Sequence, residues 1–140
     1  MSSTDSSSVA APAAEFKEIG FRHSRNFPSL LKQLQTSLLV STYQAGKLAV
    51  VGAREGKLNL SFHNFDRPMG VATSWRWIAV GTGGQIWFLR SAPDIAQRLQ
   101  RAGHFDGCFL ARRSHVTGEI QCHELGFGDD VSIKNGPKNL

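Results

Sequence analysis

His115, Glu119, His123 and Glu124 set two imidazoles and two carboxylates in one short stretch, with His104, Asp106 and Cys122 close by. If residues 119–125 form a strand, Glu119, Gln121 and His123 share one face, and Ile120, Cys122 and Glu124 the other. With His115 returning from the preceding turn, His115, Glu119 and His123 make a candidate two-histidine, one-carboxylate site for a divalent metal. No CxxC pair, HExxH or other closed ligand set accompanies them. Hydrogen-bonded surface histidines are the plainer reading of the same residues. Arg67, between Asp66 and Pro68, either joins His115, Glu119 and His123 in a polar site at one mouth of the strands or is ion-paired within its own loop. The second reading asks for less, because loop charge pairs are common and individually weak.

Other polar groupings carry less chemistry. Gly81, Thr82, Gly83 and Gly84 could offer backbone amides to an anion, but a strand follows them instead of a helix and no GK[ST] closes the loop, so a hairpin turn is the reading. Ser114 beside His115 and Cys122 beside His123 are not nucleophile and base, since neighbouring residues on a strand point to opposite faces. Of the three tryptophans, Trp77 and Trp87 sit inside apolar runs and are assigned to the core. Trp75 lies in a turn and is the candidate for ligand stacking.

The elements that would position these groups are mostly strands. Trp77, Ile78, Ala79 and Val80, then Ile86, Trp87, Phe88 and Leu89, flank the glycine-rich turn, which is a β-hairpin signature. Their apolar residues are consecutive, not alternating, so the hairpin must be covered on both faces. Before it come three β-like runs, 37–43, 47–53 and 57–63, separated by short turns ending in Gly46 and Gly56. Placing Lys47 to Gly52 over Arg76 to Gly81 gives an offset of 29, and Gly56 to Leu60 over Gly84 to Phe88 an offset of 28. A weak internal repeat of three strands follows. Pro28, Leu30, Leu31 and Leu34 predict a short helix over 28–35, and Ser91, Pro93, Asp94, Ile95 and Leu99 a connecting helix over 93–102 ending at Gly103. A third sheet is expected from two further strands, 108–111 and 119–125. The fold class is therefore mostly β: antiparallel three-stranded meanders resembling blades of an incomplete β-propeller, with two short helices.

The chain has 140 residues and a formal charge of +5. Residues 1–25, serine- and alanine-rich at the start, read as a flexible tail, 26–130 as the β-meander domain and 131–140 as an irregular C-terminal tail. Residues 1–14 lack the basic start and apolar run of a secretory signal, and no stretch is long and apolar enough for a membrane-spanning helix. Two cysteines fit small buried thiols in a reducing compartment, so a cytoplasmic location is expected. Basic groups at Lys17, Arg22, His23 and Arg25, and at Arg98, Arg101, His104, Arg112 and Arg113, make an anionic ligand a candidate partner. They lack the aromatic interleaving of a single-strand nucleic-acid platform, so a solvated basic face is preferred and weak nucleic-acid binding is a secondary alternative.

Four segments carry a resemblance: SLLVSTYQAGK at 37–47, RPMG at 67–70, Gly81-Thr82 with Gln85-Ile86-Trp87, and RSHVTGE at 113–119 with His123-Glu124. In this order they resemble a bacterial family of hypothetical proteins, domain of unknown function 4915, over about 28–130. The resemblance implies a propeller-like fold and longer members that continue with strands where VSIKNGPKNL stands here, so a truncated or frame-shifted product is expected. It brings no activity with it. Setting aside 1–25 leaves 115 residues, under three blades of roughly 40, where a closed ring needs about four. Other copies, or a protein partner, would have to cover the open sheet edges.

A binding or interaction module is the first functional reading, and a metal-dependent enzyme built on His115, Glu119 and His123 the alternative. The alternative predicts a raised melting temperature with millimolar zinc, manganese or iron(II), and an unmoved melting curve counts against it.

Overall fold

The computed structural model describes residues 19–98 and 105–128. The C-terminal tail expected at 131–140 lies outside them, as does most of the tail expected at 1–25. The elements are α1 (Phe27–Gln33), β1 (Leu38–Thr42), β2 (Lys47–Arg54), β3 (Lys57–Asn64), β4 (Val71–Thr73), β5 (Trp77–Gly81), β6 (Gln85–Ser91), α2 (Pro93–Ala96) and β7 (Phe109–Val116). They form two open antiparallel sheets, β1-β2-β3 and β4-β5-β6-β7. No helix among the described residues is long and apolar enough to cross a membrane.

The leucine spacing yields α1, with Pro28 in its first turn. Its end is a Schellman motif: Gln35 adopts φ 48, its N–H donates to Lys32 O, and the N–H of Thr36 donates to Leu31 O. The helix expected over 93–102 is formed as α2 over four residues, with Ala92, not Ser91, at the N-cap. Ser91 instead closes β6. Leu99 and Gly103 lie outside the described residues.

Two expectations about the C-terminal half are corrected. The strand begun by Phe109 runs eight residues and pairs with β6, extending the second sheet and starting no third one. Residues 119–125 form no strand, because Gln121 takes φ 47, which breaks the pleat. Their backbone is tied to the second sheet where the Gly70 N–H donates to Cys122 O at 2.8 Å. The sequence also gave no sign of β4, whose three residues rely on pairing with β5.

The central strand of the first sheet is covered on both faces, that of the second by a layer on one face only. Leu48 packs with Ile78 and Val80 between the sheets, with Leu39, Phe65, Val71, Trp87 and Leu89 against them. Ala49, on the opposite face of β2, is 7% exposed, and α1 is the element lying on that strand. The opposite face of the second sheet carries Trp77, Ala79, Gly81, Ile86 and Phe88. Among the described residues no further sheet lies on it.

Register and hydrogen bonding, taken with the requirement that both units end on the last strand of their sheet, give a different alignment of the internal repeat from the glycine positions; Ser74 Oγ closes the β4-β5 turn on Trp77 O in the same way. Thr42 Oγ1 donates to Lys47 O and Thr82 Oγ1 to Gln85 O, both at 2.9 Å, each closing the turn between two strands. Matching Thr42 to Thr82 carries Val40↔Ala49 onto Val80↔Trp87 and Ser41↔Leu48 onto Gly81↔Ile86. Thus β1, β2 and β3 correspond to β5, β6 and β7, an offset of 40 at the threonines and 38 at their partners. The offset of 29 read from the glycines pairs different strands. On the threonine match, the inner face of the first sheet corresponds to the outer face of the second, so the sheets stack front to back.

Gln35 occupies a left-handed position where a Cβ is unfavourable. Gln35→Gly is expected to stabilise the fold by about 0.5–1 kcal/mol, seen as a higher urea midpoint with an unchanged slope. A lowered midpoint would contradict this geometry of the helix end.

Candidate functional site

Arg67 is the side chain around which the polar groups of the chain gather. It stands between β3 and β4 with φ 45, a conformation that L residues seldom adopt. Its Nη2 donates to Glu119 Oε1 at 3.1 Å and its Nε to Asp66 Oδ1 at 3.4 Å. Bonding to Glu119, then to the side chains of Tyr43 and Asp66, raises the guanidinium pKa above the ordinary arginine value, so it stays charged at any accessible pH. The guanidinium lies flat against the β5-β6 turn: a Cβ on Gly83 would stand 2.5 Å from Nη2 and 2.8 Å from Cζ. Gly83 is held there by its own N–H, which donates to Asp66 O. Neither Gly83 nor Gly84 takes a positive φ. The space beside Gly83 is thus taken by the guanidinium of Arg67, the movable end of a long side chain, and the turn itself needs no positive φ there.

The expected polar site is assembled in part. Arg67 and Glu119 meet, 52 residues apart in sequence. His115 does not join them: it lies on β7 opposite Ile86 and sets its ring edge-on to Phe88, with centroids 5.4 Å apart. His123 is exposed. Among the described residues no three of His, Cys, Asp and Glu come close enough to hold a metal ion. The physical reason is that β7 continues through His115, where a turn was expected, and that the pleat meant to align Glu119 with His123 is not formed. Arg67 and Glu119 form an ion pair open to solvent, which orients the segment after β7 and contributes little stability.

Around this pair the backbone is tight. Gly81 exchanges bonds with the start of β4, its N–H donating to Gly70 O and its O accepting from the Met69 N–H. A Cβ on Gly81 would stand 2.8 Å from Cys122 Sγ and 3.1 Å from Cys122 O. Cys122 is buried, Cys108 half-buried, and both are free thiols. Nothing in the sequence pointed to Gly83 or Tyr43 as neighbours of Arg67, since each is contributed by a different turn.

The tryptophans divide differently from expectation. Trp87 packs against the core as expected, but Trp77 lies on the outer face of the second sheet, with the guanidiniums of Arg113 and Arg90 at 5.3 and 5.8 Å from its ring. Trp75 is 79% exposed in the β4-β5 turn, and Arg76 stacks over it at 3.8 Å. It is open to a ligand and lies at the other end of the second sheet from Arg67.

Gly81→Ala should destabilise the protein by about 1–3 kcal/mol through overpacking against Cys122, whereas Glu119→Gln, which removes one exposed charge, should barely move the urea midpoint. Equal midpoints for wild type and Gly81→Ala would mean that the Cys122 segment does not rest on this strand.

No curated protein and no solved structure matches the chain at a significant level. A family model, domain of unknown function DUF4915, matches residues 25–136. That span takes in α1, both sheets, Arg67 and its partners, and on it the chain belongs to the DUF4915 family.

Proposed function

We propose that the protein is a binding and interaction module of propeller type, in which the outer face of the second sheet is covered by a sheet of the same kind from a second copy. The observation that carries this reading is the front-to-back stacking of two corresponding sheets. Leu39 and Leu48 of the first sheet are covered by the second. Their counterparts on the threonine match, Ala79 and Ile86, lie on the face against which no sheet packs among the described residues. Repetition of the interface already present would cover them.

The complementary surface is the far side of the first sheet. Leu38, Val40 and Phe62 there are 41%, 44% and 42% exposed, so α1 leaves apolar area for a neighbour. A contact between two different faces is heterologous, and it closes into a ring when the rotation per copy permits. At two sheets per copy, a ring of at least about four blades takes two or more copies. A cytoplasmic setting suits the same reading, since both cysteines are free.

Light scattering during size-exclusion chromatography tests it. Wild type should elute as two or more copies of the 15.3 kDa chain, and Val40→Lys, an exposed position on an edge strand, should yield a folded monomer. A wild-type monomer that melts sharply and binds no hydrophobic dye would overturn the proposal.

A further inference from the structure

A groove of about 500 Å³ opens at the end of the second sheet, away from Arg67, lined by Trp75, Arg76, Arg90, Asp94 and Arg112 among others. Its size falls in the range of small-molecule sites. Four separate elements build it: the β4-β5 turn supplies Trp75 and Arg76, the end of β6 Arg90, α2 Asp94, and β7 Arg112. Its walls are fixed by backbone bonds, with the Ser91 N–H donating to Arg76 O and the Ala92 N–H to Cys108 O, both at 2.8 Å.

Arg112 is there because of an irregularity. Phe88 pairs with Arg113 and Leu89 with Ala111, so Arg112 is the extra residue of a β-bulge. Bulges re-aim a side chain out of the regular alternation. Among the described residues the side chains of Arg112 and Asp94 have no hydrogen-bond or ion-pair partner, and the guanidiniums of Arg76 and Arg90 lie over the rings of Trp75 and Trp77. Three guanidiniums facing one carboxylate leave a surplus of positive charge in a concave place, where planar donors suit phosphate oxygens. An exposed indole and a carboxylate beside them add what a bare anion cannot use.

We infer that this groove binds a nucleoside phosphate: the phosphates on Arg76, Arg90 and Arg112, the base against Trp75, and Asp94 accepting from a ribose hydroxyl or base amino group. The inference does not depend on that proposal, although Arg90 lies on the outer face of the second sheet and borders both surfaces. Tryptophan fluorescence and calorimetric titration with ADP test it, with pyrophosphate as the ringless probe and adenosine as the one without phosphate. ADP should bind at least tenfold tighter than either. Arg112→Ala should weaken ADP about tenfold or more, as for a lost charge-assisted hydrogen bond, and Trp75→Ala between about fivefold and a hundredfold, as for a lost base stack. Both positions are exposed, so both variants should fold as wild type. Pyrophosphate binding as tightly as ADP, indifference to Trp75→Ala, binding of a single-stranded oligonucleotide but not of ADP, or no binding by any probe would each overturn the assignment.

Discussion

The second sheet is built on a strand that cannot be left in water on either side. Ile78 and Val80 point one way and Ala79 and Gly81 the other, and all four are buried. A pleated strand with apolar residues on both faces requires a layer above and a layer below. The first sheet supplies one layer through Leu48 and Leu39. On the other side the cover is partial: Cys122 rests on Gly81, and arginines stack over Trp77 and Phe88. From that asymmetry come both the compactness of the inner interface and the availability of the outer one.

Arg67 links parts of the chain that the sheets alone do not. It joins the linker between sheets to the β5-β6 turn and to the segment after β7, by packing on Gly83 and pairing with Glu119. The polar residues of the sequence are thus spent chiefly on architecture near Arg67. At the opposite end of the second sheet, Arg112 and Asp94 make no side-chain hydrogen bond or ion pair among the described residues. A charged residue whose bonds are all satisfied inside the fold orders the chain, whereas one left in a groove without a partner is available to something else.

Much of the fold was legible in the sequence because it depends on local signals. Proline and leucine spacing gave α1, and apolar runs bounded by glycine gave β2, β3, β5 and β6. What was not legible depends on contacts between distant residues. β4 has three residues and no pattern of its own, and β7 reached beyond its apolar start because β6 offered it an edge, drawing Arg112 to Val116 into the ladder. The candidate metal site presumed a turn at His115 and a pleat through Gln121, and the described residues form neither. Arg67 and Glu119 do meet, in an ion pair between the loop before β4 and the segment after β7. The aromatic and basic residues also proved interleaved, though across strands: Arg113 lies over Trp77 and Phe88, a relation that reading along one strand cannot reveal.

Thr42 and Thr82 close connections of different length, four residues in one unit and two in the other, with the same side-chain oxygen on the same kind of carbonyl. Because the closure belongs to the hydroxyl and not to the loop, residues can be gained or lost at that tip without disturbing which strand residues lie opposite each other. Kinship between the units is accordingly hidden from any alignment that holds spacing constant. It becomes visible when positions are equated by the bond they make.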